Sequence, residues 1–107
     1  EISGYSNAIY SGLLTAEVSR LIEKILKEHL SLSGLWNVSS DPINKFELLS
    51  CLNKLLGNRI PIKSLEKPKI DRSLDSSKFR KQINYCPPSW DESLEELAEE
   101  IKLRESK

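Results

Sequence analysis

Proline placement sets the scale of everything this chain can build. Pro42, Pro61 and the Pro87-Pro88 pair each lack a backbone donor and fix φ, so neither a helix nor a central strand can run through them. The pieces between them are short. Within those pieces the longest apolar runs are broken within a few residues by Glu, Lys or Ser, far short of the ~20 residues of a membrane span. A chain of 107 residues that is 38% hydrophobic and 30% charged is expected to form one globular domain, or a piece of one, hiding ~65% of its unfolded surface.

Start and stop signals then place the elements. Residues 1–14 read as the end of an extended segment followed by a polar loop, because Gly4, Asn7, Ser11 and Gly12 interrupt any period. Thr15 is a suitable N-cap, and Val18, Leu21, Ile22, Ile25 and Leu26 recur at three-and-four spacing, predicting a helix to about Leu30. Leu35, Trp36 and Val38 stand between Ser and Gly residues as a short buried strand that stops by about Ser40, since Pro42 holds Asp41 extended. Asn44 and Glu47 form a capping pattern and Ile43 with Leu48 a hydrophobic staple, so the second helix begins at Lys45. Leu48, Leu49, Leu52, Leu55 and Leu56 give it an apolar face, and Gly57 closes it. Ile60 and Ile62 around Pro61 predict a short strand near a sheet edge. Asp75 caps a short helix through Gln82, with Asn84 left-handed after it. Ser89 and Glu92 form a capping box for the last helix, whose stripe is Trp90, Leu94, Leu97, Ala98 and Ile101. The fold class is therefore α/β, with three main helices, a short fourth and two or three short strands.

Most routes to catalysis lack their residues. His29, the only histidine, falls near a helix end, where a cation suits the dipole. Cys51 and Cys86 form neither a disulfide framework nor a metal ligand set and read as buried or neutral thiols. No glycine-rich nucleotide loop occurs, and Glu95, Glu96, Glu99 and Glu100 read as a solvated helix face. Sixteen basic and sixteen acidic residues argue against nucleic-acid binding. The basic residues nevertheless gather between 58 and 81. Among them Arg72 sits in an irregular stretch, where a guanidinium can reach a phosphate with two parallel hydrogen bonds. From spacing alone the simpler account is an exposed ion pair with Asp71 or Asp75. Asn7, Tyr10 and Ser11 offer polar and aromatic contacts for a sugar or base. LDSSKF is similar to the serine motif of phosphopantetheine carriers, but the strands and the balanced charge do not suit that fold.

The order of blocks GYSNAIYSGLLT, GLWNVSSDPINKFELL, IPI, DRSLDSSKFR and NYCPPSWDESLEEL, spanning nearly the whole chain, resembles the C-terminal part of extended short-chain dehydrogenases/reductases. The likeness is nearest to the dTDP-4-dehydrorhamnose reductase-like members. It implies that residues 1–107 are a small substrate-binding lobe of a longer chain, lacking the N-terminal Rossmann domain that binds NAD or NADP. Such enzymes transfer a proton through a Tyr-x-x-x-Lys pair; here the residues four after Tyr5, Tyr10 and Tyr85 are Ile9, Leu14 and Ser89. No catalytic, cofactor-binding or metal-binding residue is therefore expected in this chain. The resemblance makes Arg72 a diphosphate contact and places Asn7, Tyr10 and Ser11 on the wall of a nucleotide-sugar pocket. Asn84 stands where many relatives have Gly. The implied function is NAD(P)-dependent reduction of a nucleotide sugar, with an epimerase or dehydratase lobe as the near alternative and a stand-alone protein-interaction module as the distant one. Neither nucleic acid nor membrane is an expected partner, and homo-oligomerisation is left open. EISGY lacks the features of an export signal, giving a cytoplasmic expectation.

Overall fold

A computed structural model describes residues 1–106. Its backbone frame is a pair of parallel strand paths with a break in the middle. Strand β1 (Ile2–Tyr5) pairs in parallel with β4 (Ile62–Leu65), and β2 (Ala8–Tyr10) pairs in parallel with β5 (Ile70–Asp71) and antiparallel with β3 (Ile43–Asn44). At the break the Ser6 N–H donates to the Leu65 carbonyl at 2.9 Å, and the Ile70 N–H to the Asn7 carbonyl at 2.9 Å. The Asn7 side-chain amide donates to the Glu66 carbonyl at 2.9 Å, so it stitches the two sheets where their ladder is interrupted.

Helix α2 (Lys45–Leu55) lies over β1 and β4 and against α4 (Trp90–Glu105). Its approach depends on Gly4, where a Cβ would stand 2.9 Å from Phe46 Cδ1 and 3.2 Å from Ile62 Cγ2. Asn44 caps α2 by accepting the Glu47 N–H at 2.8 Å, and Gly57 at φ +93° follows its end. Beyond it the Asn53 amide clamps Ile60 from both sides, donating to its carbonyl at 2.6 Å and accepting its N–H at 3.2 Å.

Helices α1 (Thr15–Glu28) and α3 (Ser77–Ile83) enclose the main core, in which Leu21, Phe79 and Ile83 are buried with Ile25, Leu32, Trp36, Val38 and Tyr85 packed around them. Phe79 meets Trp36 and Tyr85 edge-on, at ring separations of 6.2 and 6.0 Å. The Tyr85 hydroxyl donates to Glu17 at 2.5 Å, and Arg20 joins Glu17 at 3.0 Å to Glu96 of α4 at 2.8 Å. Burial, followed by the Glu17 carboxylate, holds the Tyr85 phenol well above its ordinary range. The Arg20 guanidinium in turn draws the Glu96 carboxyl below the usual carboxylate range.

The α/β class and the helix order match the sequence reading, as do the α2 cap, the α4 capping box and left-handed Asn84 at φ +54°. Three local readings differ. Thr15 is the first helical residue rather than the cap; Leu14 occupies the cap position with no side-chain bond. The opening loop contains a strand, Ala8–Tyr10, because residues 70–71 and 43–44 supply edges on both of its sides. Residues 35–39 join no ladder, only the Ser40 N–H reaching the Ser11 carbonyl, and the strand forms beyond Pro42 at Ile43–Asn44, where β2 offers an edge. The described residues thus form five short strands. Cys51 is half-buried and Cys86 exposed, both as free thiols. Among the described residues no helix is long and apolar enough to cross a membrane.

Candidate functional site

The segment from Ile70 to Ser77 folds into two copies of one local motif. Asp71 Oδ1 accepts the Ser73 N–H at 2.9 Å and its hydroxyl at 2.6 Å. Asp75 Oδ1 accepts the Ser77 N–H at 3.0 Å and its hydroxyl at 2.6 Å. Both are Asp-x-Ser turns in which the carboxylate satisfies backbone and hydroxyl donors two residues on. Those donors hold both carboxyls below their ordinary range. The consequence falls on Arg72, between the two. Its Asp neighbours are engaged with serines, and its exposed guanidinium makes no ion pair among the described residues.

The same segment runs beside the opening strand. The Arg72 N–H donates to the Ile9 carbonyl at 3.0 Å and the Leu74 N–H to the Ser11 hydroxyl oxygen at 2.9 Å, so the chain brings Tyr10, Ser11 and Arg72 onto adjacent paired segments. Their side chains differ in availability. Asn7 is engaged with Glu66, and Ser11 is buried with its carbonyl accepting the Ser40 N–H at 2.8 Å. Both shape the backbone. Tyr10 is partly exposed, its ring 6.0 Å from that of Trp90 and lying across Gly12, where no Cβ fits. Trp90 is fixed by its indole N–H, which donates to the Asp41 carbonyl at 2.7 Å.

Next to these residues a cleft of about 410 Å³ opens between residues 40–42 and 73–77, with Arg80 on its wall and Arg72 outside the lining. Arg80 is occupied: it donates to Ser76 Oγ at 2.7 Å, to Asp41 at 2.9 Å and to the Ser39 carbonyl at 2.9 Å. The buried Ser40 hydroxyl on the same wall has no partner among the described residues. Arg80 was missed in the sequence because two of its three partners lie 39 and 41 residues away, and only the basic run at 78–81 hinted at it.

This arrangement can hold an anion but carries no paired acid and base and no nucleophile beside a base. His29 sits at the C-terminal end of α1, its ring 3.9 Å from Glu28. Among the described residues no cluster of His, Cys, Asp or Glu is placed to hold a metal. The glycines do not form a dinucleotide cradle either: Gly4 packs on Phe46, Gly12 lies under Tyr10, and Gly34 and Gly57 are isolated turn residues.

No family model and no curated protein matches the chain. A solved structure does: UDP-N-acetylglucosamine 4-epimerase from Bacillus cereus superposes with a TM-score of 0.70 at 20% identity, over 91% of this chain and 34% of that one. The chain thus spans about a third of that structure's length. At this identity the likeness speaks to architecture, and the chain has the α/β fold of a part of that epimerase.

Proposed function

We propose that this chain is the nucleotide-sugar-binding lobe of a longer NAD(P)-dependent enzyme of the extended short-chain dehydrogenase/reductase kind. The observation that carries the reading is the agreement of fold over 91% of the chain with one third of a nucleotide-sugar epimerase. In this reading Arg72 donates two parallel N–H bonds to the diphosphate, and the phenol of Tyr10 lines the sugar or base. Asn7 and Ser11 hold the strand that carries Tyr10 against the turn that carries Arg72. In this reading the cofactor and the Tyr-x-x-x-Lys pair belong to the rest of the protein, and hydride transfer is their chemistry.

The block order favours reduction of a dTDP-4-dehydro sugar; the name of the matching structure favours epimerisation. Turnover separates them. A reductase oxidises one reduced nicotinamide per product formed, whereas an epimerase leaves the cofactor unchanged over the cycle. Binding tests the lobe itself. Calorimetric titration of the full-length protein with dTDP-sugar and UDP-sugar should show affinity that Arg72→Ala weakens at least about tenfold, the scale of a lost charge-assisted pair. Arg72→Lys should recover only part of it, because an ammonium cannot make the two parallel bonds. Unchanged affinity in Arg72→Ala rejects the diphosphate role. Absence of any nucleotide-sugar affinity returns the chain to the class of interaction modules.

A further inference from the structure

The cleft between residues 40–42 and 73–77 has a chemistry unlike that of Arg72, which stays outside its lining. Two carboxylates, Asp41 and Asp75, are set against one guanidinium, Arg80, an excess of negative charge that disfavours a phosphate. Each of these groups has hydrogen-bonding capacity left over. Arg80 spends three of its five N–H groups, on Ser76, Asp41 and the Ser39 carbonyl. Asp41 and Asp75 accept through Oδ1, and the Oδ2 atoms of both have no partner among the described residues. The Ser40 hydroxyl on the same lining, in a residue only 3% exposed, has none either. A buried hydroxyl is costly to leave unpaired.

The lining is also held in place. Arg80 is fixed by its three bonds and Asp75 by its turn with Ser77. Leu74 is tied on both sides of its backbone, its N–H donating to Ser11 Oγ at 2.9 Å and its carbonyl accepting the Ser39 hydroxyl at 3.0 Å. Its side chain is nevertheless 51% exposed and shares the lining with Pro42, so an aliphatic surface accompanies the polar groups.

We infer that this cleft is a second binding site, which takes a neutral polyhydroxylated ring of monosaccharide size. A sugar hydroxyl both donates and accepts, so neighbouring hydroxyls match the spare guanidinium N–H groups and the spare carboxylate oxygens together, while the C–H face of the ring packs on Pro42 and Leu74. An ammonium ligand fits less well, because its charge opposes that of Arg80. An anion finds its free cation at Arg72, outside the cleft. The volume of about 410 Å³ lies within the range of small-molecule sites, about 300–1,000 Å³. Donors and acceptors already fixed by the fold lower the ordering cost of binding so small a ligand. The inference stands apart from the nucleotide-sugar reading, since it uses none of the residues assigned there to the diphosphate or the base.

Saturation-transfer NMR on the full-length protein tests it, with the methyl α-pyranosides of glucose, galactose and mannose as probes. At least one should bind, with a Kd of about 1 mM for a ligand of this size. Asp41→Asn/Asp75→Asn keeps the side-chain oxygens that accept from Arg80 and Ser77 but removes both charges, and should weaken binding at least about tenfold. Leu74→Ala trims the aliphatic surface, leaves the backbone bonds in place and should weaken binding as well, so the test survives a double variant that fails to fold. No transfer from any probe at about 10 mM overturns the inference, and so does binding that the variants leave unchanged. Displacement of the probe by an equal concentration of inorganic phosphate or of spermidine overturns it in favour of an anion or a cation. Calorimetric titration with nucleotide sugar then names the source of the ring. Affinity unchanged in the double variant means a separate sugar; affinity that falls in parallel means that the glycosyl group of the nucleotide sugar reaches the cleft past Arg72. Pyranoside binding without nucleotide-sugar affinity removes the functional reading and leaves this site.

Discussion

Helices α1 and α4 each carry an apolar stripe and have opposite fates. Helix α4 is anchored from its first turn, with its capping box complete, Trp90 bonded to Asp41, and Leu94 and Ala98 buried. Helix α1 carries the clearer apolar stripe in the sequence, yet it lacks a side-chain cap and leaves Val18, Ile22 and Leu26 in solvent. Periodicity specifies that a face exists. What covers the face depends on the neighbouring elements, and for half of α1 none of the described residues does so.

Phe79 and Leu26 stand on opposite sides of the division between covered and bare sites. Phe79 is 1% exposed at the centre of the aromatic cluster, and Phe79→Ala should lower the unfolding free energy by about 3–5 kcal/mol, read by urea denaturation. Leu26→Ala in the full-length protein is the sharper probe. A cost within about 0.5 kcal/mol is the signature of a side chain in solvent. A cost of about 2 kcal/mol or more means that the rest of the protein covers it.

Tyr85 gives a smaller effect at the junction of the two regions. Tyr85→Phe removes the donor to Glu17, a carboxylate that is nine-tenths buried, but leaves Arg20 beside it; the cost should be about 1–2 kcal/mol. The pH dependence has a definite sign. A phenol whose folded pKa is raised contributes stability that is whole below its unfolded value and is lost as the pH climbs through the folded one. Denaturation compared between the wild type and Tyr85→Phe should therefore show a constant gap up to about the ordinary phenol value of 10.0, closing above it. A gap that does not narrow in alkali places the hydroxyl outside this contact.

Elements with local signals were legible in the sequence. Asn44 with Glu47, Ser89 with Glu92, Gly57 and Asn84 each act within a few residues of themselves, and all behave as their chemistry dictates. Strand pairing was not legible, because a strand needs an edge supplied from elsewhere. Val38 sits in a good strand pattern and finds no partner, whereas Ile43, just past a proline, finds β2. The site divides in the same way. Arg72 and Tyr10 could be singled out by chemical type, but the engagement of Asp71 and Asp75 with their own serines, which frees Arg72, depends on hydroxyl geometry that spacing alone did not resolve. Arg80 owes its place to partners across the fold.

The finest test of the α1 and α4 comparison lies at their first turns. The Ser89 hydroxyl oxygen accepts the Glu92 N–H at 3.2 Å, and Glu92 accepts the Ser89 N–H at 3.3 Å, so Ser89→Ala should cost about 1 kcal/mol. Thr15 bonds no N-terminal amide of α1 and lies inside the helix, where Ala is the better helix former, so Thr15→Ala should be neutral or slightly stabilising. Thermal melts of the two variants read the difference directly. Equal losses at both positions would mean that Thr15 caps α1 in solution after all, by a shift of one residue at its start. In that case the asymmetry between the helices would come from the uncovered face alone, and the start of α1 would be as firmly held as that of α4.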